Sequence, residues 1–340
     1  MLNRRERKLG RRKFLREITL AGAAPLVGMF PMPVAGEPPP ETTRLRVLVS
    51  TVLCEAPVHA ADDLLRGEGF SDLQYVQHAL GRGPYQRLAS GEVDLATVTS
   101  MGGVLRVEAG DPVVMLAGYH AGCFELFGND RVHAIRDLKG KVAVVQQIGT
   151  TPHALIASMA SYVGLDPQKD ITWAIKSGRE AIQFFIDGHA DAFMGFPPEP
   201  QELRARKIGH VVVSTTTDRP WSQYFCCMIA SNREFVRKHP AATKRAIRAI
   251  LKSADMCARD PKQTARLQVD RGYTKSYDQA LQVARETPYG KWRQHDAEDT
   301  VRFFALRLRE AGFIKSNPQQ IIAKGTDLRF IKELMRELKA

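Results

Sequence analysis

Gly149-Thr150-Thr151-Pro152 is the stretch of this 340-residue chain best suited to hold a ligand. Glycine permits close approach, the threonines offer hydroxyls, and proline suits the first turn of a helix. A helix beginning there presents unpaired N–H groups and a partial positive charge, which hold an anion without a charged side chain. The same reading attaches to Thr99-Ser100 with Gly102, to Thr51 ahead of Pro57, to residues 81–84, to Ser177-Gly178-Arg179 and to Phe196-Pro197. Arg82, Arg179 and Arg219 stand near these loops and could grip a carboxylate or sulfonate at two points. Tyr85, Phe196, Trp221 and Tyr224 could wall such a site or fill the core equally well. Thr150 or Thr151 also serves as an ordinary helix cap, and His153 reads as a cap or surface residue rather than a catalyst.

Signals for bond-making chemistry are missing from the sequence. There is no Gly-x-Ser-x-Gly elbow, no phosphate-binding Gly-x-x-x-x-Gly-Lys loop and no His-x-x-x-His pair. The five cysteines (Cys54, Cys123, Cys226, Cys227, Cys257) are odd in number and lack both a Cys-x-x-Cys and a metal-like spacing. Cys226 and Cys227, adjacent in an apolar strand, are expected to point to opposite faces as small buried hydrophobes. The sequence therefore predicts no catalytic residue, no metal and no cofactor.

The elements that must position the loops alternate. Strands are expected in "RLRVLVS", "DLQYVQH", "LATVTS", "VVMLAGY", "KVAVVQQ", "ITWAIKS" and "AFMGF", with helices such as "VHAADDLLRGEG", "GGVLRVEAG" and "PHALIASMASYVG" between them. Such alternation predicts βαβ units around parallel sheets. From Pro240 the pattern turns almost wholly helical. One unit is phrased twice: "LASGEVDLATVTS" and "FIDGHADAFMGF" each end a helix at a glycine (Gly91, Gly188) and start a strand at an aspartate (Asp94, Asp191). Each strand then delivers a loop to the carboxyl end of its sheet, where open α/β sheets bind ligands. Two copies suggest two lobes sharing one cleft.

The N-terminus reads as an address. Residues 1–36 hold eight Arg or Lys against two Glu, so half of the formal net charge of +12 precedes the globular sequence, and the rest is spread thinly. Without a basic run interleaved with aromatics, nucleic-acid binding is not expected. The uncharged stretch Ile18–Met32 is too short and too weakly apolar to span a membrane. With its basic front and its small-residue exit it has the layout of a cleaved export signal. Arg11-Arg12-Lys13-Phe14-Leu15 resembles a twin-arginine signal, with cleavage near residues 35–37.

"LASGEVDLATV", "DLKGKVAVVQQIGTTPHALIASMASYVGLDPQKDITW" and "FIDGHADAFMGFPPEP" together resemble the solute-binding proteins of nitrate, sulfonate and taurine importers, a domain shared with the thiamine-pyrimidine synthases. The phrases Gly-x-x-Asp, Leu-Lys-Gly-Lys, a Gly/Thr loop, Gly-Leu-Asp-Pro and a second Gly-x-x-Asp-Ala occur in order across residues 44–215. The resemblance implies a two-lobed α/β fold of the periplasmic-binding-protein type II class, with two crossing hinge strands and C-terminal wrapping helices. It divides the chain into a signal peptide (1–36), a linker (37–43), lobe I (44–118), lobe II (119–216) and a return to lobe I (217–340). It implies a periplasmic protein that captures a small sulfonate-, nitrate- or carboxylate-like solute for an ABC permease and its ATPase, after export by the twin-arginine translocase. The ligand would meet Thr51, Arg82, Thr99, Ser100, Gly149, Thr150, Thr151, Ser177, Arg179 and Phe196. A synthase-like enzyme and a periplasmic sensor of the same fold are the alternatives. The synthases carry a longer cysteine run than the pair Cys226-Cys227.

Overall fold

The computed structural model describes residues 37–78 and 83–338; the expected signal peptide and Arg82 lie outside the described residues. Among the described residues, short β-branched runs become ten strands. These are β1 (Arg44–Val49), β2 (Asp72–Gln77), β3 (Leu95–Thr99), β4 (Val113–Ala121), β5 (Glu125–Gly128), β6 (Lys141–Val145), β7 (Ile171–Ile175), β8 (Ala192–Gly195), β9 (His210–Ser214) and β10 (Phe225–Asn232). They form two five-stranded sheets, ordered β2-β1-β3-β10-β4 and β7-β6-β8-β5-β9. Each sheet is the floor of one lobe.

The sheets are mixed rather than parallel throughout. β1 runs parallel to β2 and β3, and β6 parallel to β7 and β8, as βαβ units require. β10 lies antiparallel between β3 and β4, and β5 antiparallel between β8 and β9. The reason is topological. β10 is the chain returning from the second lobe, and β5 is the chain arriving there.

The chain crosses between sheets twice, from Ala121 to Glu125 and from Ser214 to Phe225. Thr215 stitches the crossings together, its own N–H donating to Phe124 O (2.9 Å). Thr215 Oγ1 accepts the N–H groups of Cys123 (3.2 Å) and Phe124 (2.9 Å) and donates to Phe124 O (3.0 Å).

Around the sheets lie α1 (Ala56–His59), α2 (Asp62–Gly67), α3 (Pro84–Ala89), α4 (Ser100–Glu108), α5 (Thr151–Tyr162), α6 (Arg179–Ile186) and α7 (Glu199–Ala205). The C-terminal part supplies α8 (Arg233–Lys238), α9 (Pro240–Arg259), α10 (Pro261–Asp270), α11 (Tyr277–Glu286), α12 (Ala297–Glu310), α13 (Pro318–Gly325) and α14 (Arg329–Glu337). The single helix expected over "VHAADDLLRGEG" is two, because Asp62 and Asp63 suit the first turn of a new helix. α9 packs on α1, α2 and β4 of the first lobe. α12 touches both lobes: Phe303 stacks on Tyr224 (3.8 Å), and the Arg307 guanidinium sits over the Tyr162 ring of α5 (5.2 Å). The wrapping helices therefore also brace the second lobe.

Candidate functional site

Two helices of opposite lobes begin face to face. Thr99 ends β3 in extended conformation and caps α4, its Oγ1 accepting from Gly102 N (3.3 Å). Thr151 opens α5 behind Thr150. The Thr99 and Thr151 hydroxyls meet at 2.6 Å, a direct bond between lobes. Tyr85 holds the first of these in place, its hydroxyl donating to Thr99 O (2.7 Å). Gly102 makes that possible, since a Cβ there would lie 2.3 Å from the Tyr85 oxygen.

Beside this contact lies a cavity of about 250 Å3. Tyr85, Val98 and Val52 of the first lobe, Phe124 of a crossing, and Pro152 and Phe196 of the second lobe form apolar walls. Thr97, Thr99, Thr150 and Thr151 supply hydroxyls, and Glu55 with Cys54, Cys123 and Cys227 forms a floor. Among the described residues no Lys or Arg lines the cavity. Positive potential comes instead from the first turns of α4 and α5.

The sequence-derived candidates divide cleanly. Thr99, Thr150, Thr151 and Phe196 line the cavity. Ser100 is fully buried and donates to Phe225 O (2.7 Å), joining α4 to β10. Thr51 is exposed and outside the lining. Gly149 lies at the helix start but outside the lining, its N–H donating to His153 Nδ1 (3.1 Å). Burial pushes the His153 pKa down to about 4, so it stays a neutral cap. Ser177 and Arg179 sit on the exposed start of α6, bonded to Glu180 (3.2 Å) and paired with Glu202 (3.2 Å) respectively. Trp221 and Tyr224 line a narrower space between Thr99, Thr151 and α12.

The floor is what the sequence reading missed. Cys54 follows β1 in a short 3-10 turn (Leu53–Glu55), His120 and Cys227 are paired neighbours on β4 and β10, and Cys123 lies in the first crossing. One donor atom from each of the four lies within 4.8 Å of every other. Cys226 and Cys227 do not point to opposite faces. Ala121 pairs with Phe225 and His120 with Cys227, so Cys226 is the extra residue of a β-bulge. The bulge brings Cys226 Sγ within 3.6 Å of Cys227 Sγ and 2.9 Å of Cys123 Sγ. Hydrogen bonds from Cys123, Cys226 and Cys54 hold the Cys227 thiol well below the ordinary range. Burial pushes the Glu55 carboxyl up to about 7, against a 2.7 Å bond from Ser50 Oγ. His120 and Cys123 stand three residues apart, but no spacing rule could have joined Cys54 and Cys227 to that pair, because these meet it only in the folded chain.

Comparison with known proteins agrees with this architecture. The family described as NMT1/THI5 like matches over residues 67–264, more than half of the chain. No curated protein matches the chain in sequence. The periplasmic nitrate-binding protein NrtA from Synechocystis PCC 6803 superposes with a TM-score of 0.73 at 14% identity, covering 89% of this chain and 90% of that one. The periplasmic aliphatic sulphonate binding protein SsuA from Escherichia coli superposes with a TM-score of 0.67 at 16% identity, covering 85% and 94%. The alkanesulfonate-binding protein SsuA from Xanthomonas axonopodis pv. citri, bound to MOPS, gives 0.65 at 15% identity, covering 85% and 99%. The shared fold is the two-lobed one of periplasmic binding proteins.

Proposed function

The chain belongs to the NMT1/THI5-like family, and on that premise we propose that it is the solute-binding component of an ABC importer. It captures a small solute between its lobes and hands it to a permease and its ATPase, and it transforms nothing. The observation that carries this reading is the cavity between the lobes, bordered by helix starts from both sides and bridged by Thr99 and Thr151. A ligand that touches both helix starts favours the state in which the lobes meet, by its differential affinity for that state.

The solute has a nitrate-, sulfonate- or carboxylate-like head. Hydroxyls and N–H groups at the starts of α4 and α5 hold it, with Thr150, Thr151, Thr99 and Phe196 in contact. Export through the twin-arginine translocase to the periplasm, with cleavage near residues 35–37, completes the reading. The first lobe takes the chain up to Ala121 and from Phe225 onward and the second takes residues 125–214, so the lobe borders expected at 118/119 and 216/217 fall at the crossings instead.

Native mass spectrometry of the purified protein, followed by a thermal-shift panel of nitrate, alkanesulfonates, carboxylates and neutral pyrimidines, tests it. A ligand at 100 times its dissociation constant stabilises by about 2.7 kcal/mol. An anion that raises the melting temperature in wild type and loses most of that shift in Thr151→Val supports the reading. A shift confined to neutral pyrimidines removes the anion, and turnover of a bound pyrimidine precursor replaces binding by catalysis.

A further inference from the structure

We propose that Cys54, Cys123, Cys227 and His120 form a binding site for a thiophilic d10 cation, Zn2+ by its donor count, at the floor of the interlobe cavity. The inference goes beyond solute binding and stands without it.

Donor chemistry comes first. Three thiolates and one imidazole are a tetrahedral zinc set, and zinc–sulfur bonds of ~2.3 Å require donors ~3.7 Å apart. The four donor atoms already lie within 4.8 Å of one another, so closure on an ion needs shifts of about an ångström. All four residues are buried, and the three cysteines border the cavity, which gives the ion a way in from the cleft.

His120 supplies an independent sign. It is wholly buried between Tyr119 and Tyr289, whose rings meet its own edge to face at 4.6 and 5.7 Å. Its Nδ1 faces two backbone carbonyls, Gly122 O at 3.1 Å and Ala121 O at 3.3 Å. A carbonyl only accepts, so Nδ1 carries the proton in the neutral ring and Nε2 keeps its lone pair. Among the described residues that Nε2 is buried without a hydrogen-bond partner. A buried orphan lone pair is costly. Metal-ligating histidines take this arrangement, the far nitrogen donating to a carbonyl so that the near one faces the ion.

Cys123 supplies a second sign. Its φ is +151°, where residues other than glycine are rarely found, at a cost of ~1–3 kcal/mol. The Thr215 hydroxyl accepts from the Cys123 N–H (3.2 Å), and the Cys123 sulfur lies within 4.8 Å of the other three donor atoms. The β-bulge at Cys226 likewise breaks a ladder to bring Cys227 to the same point. Two local irregularities thus converge on one cluster of sulfurs. Cys226, 2.9 Å from Cys123, stands outside the four-donor set as a neighbour.

Binding forms four metal–ligand bonds and releases to solvent the protons of those thiols that were protonated; no electron moves. The test is titration of the reduced, metal-free protein with Co2+ under argon, then with Zn2+. One equivalent of cobalt is expected to give thiolate-to-cobalt charge-transfer bands and the intense visible bands of a tetrahedral centre, bleached by one equivalent of zinc. Cys54→Ser, Cys227→Ser and His120→Ala should each weaken binding by more than the ~10–100-fold that loss of an outer-shell partner costs. Cys257→Ser, in α9 away from the cluster, should leave the spectrum unchanged.

If the buried substitutions unfold the chain, X-ray absorption of zinc-loaded wild type still decides, because the site requires three sulfurs and one nitrogen. An octahedral cobalt spectrum, or two or fewer sulfurs around zinc, would overturn the site. So would full retention of the ion in His120→Ala, as expected if Cu+ were taken by sulfur alone. Solute binding is read separately by the anion panel, so either reading can fail while the other holds.

Discussion

The two Gly-x-x-Asp units share a latch and differ in the residues that complete it. In the first, Asp94 N donates to Arg46 O (2.9 Å) while Asp94 Oδ2 accepts from Arg46 N (2.8 Å). In the second, Asp191 N donates to Val142 O (2.7 Å) while Asp191 Oδ2 accepts from Val142 N (2.9 Å). Each buried aspartate thus ties the start of its strand to the neighbouring parallel strand and fixes the register there. The remaining oxygen is satisfied differently. Arg46 turns its own guanidinium onto Asp94 (2.6 Å), whereas Asp191 draws on Asn129 (3.0 Å) and Arg131 (2.5 Å). Five residues beyond each aspartate comes a residue that lines the cavity, Thr99 in one lobe and Phe196 in the other. The repeat is scaffolding, and the residues that line the cavity come just after it.

The comparison breaks most visibly if the latches are unequal. Asp94→Ala and Asp191→Ala should each cost about 3 kcal/mol, because each strips a buried N–H and a charged partner of their acceptor. Urea unfolding monitored by circular dichroism measures this. A loss in one lobe and none in the other would show that the echo in sequence is not an echo in energetics. Gly91→Ala and Gly188→Ala should cost roughly 1–2 kcal/mol each. Both glycines have positive φ (+70° and +77°), and neither has an atom near where a Cβ would stand, so conformational strain alone sets the cost. Markedly different costs would mean that one turn carries more than backbone strain.

The positions five residues on sharpen the contrast. Thr99→Val removes a helix cap and should cost about 1 kcal/mol of stability as well as solute-induced stabilisation. Phe196→Leu keeps its cavity wall apolar and should alter solute preference with a smaller change in melting temperature. Calorimetric titration with the anion found by the panel separates the two. Equal effects on stability would erase the distinction between a capping and a lining residue.

Much of this was legible in the sequence because it is local. Short apolar runs mark β1 and β3, helix-stopping glycines mark the turns before Asp94 and Asp191, and Thr150-Thr151-Pro152 announces the start of α5. What could not be read depends on topology. Whether β5 and β10 run parallel or antiparallel is set by the crossings, not by their own residues. Arg179 looked like an anion clamp, yet it starts a helix on the outer face, where Glu202 takes it up. His120 and Cys123 are three residues apart, but Cys54 and Cys227 lie far away on either side of them in the chain, and a bulge that no composition signals brings Cys227 to the pair. The sequence names these residues, but only the fold makes the four of them neighbours.

The smallest expected effect lies in acid. Burial alone would raise the Asp191 carboxyl, but bonds from the Val142 N–H, Asn129 and the Arg131 guanidinium outweigh it and hold the group below the usual 3.8. A depressed pKa in the folded state means that the unfolded chain binds the proton first. The stability contributed by Asp191 is therefore complete above pH 3.8 and drains away as pH falls through the lower folded value, by less than ~1.4 kcal/mol per pH unit. Asp191→Asn should lose stability at neutral pH yet show a flatter decline below pH 4, so its unfolding curve approaches that of wild type in acid. Parallel curves down to pH 2 would mean that the carboxylate charge is immaterial and that the latch works through oxygen geometry alone, which an asparagine oxygen also supplies.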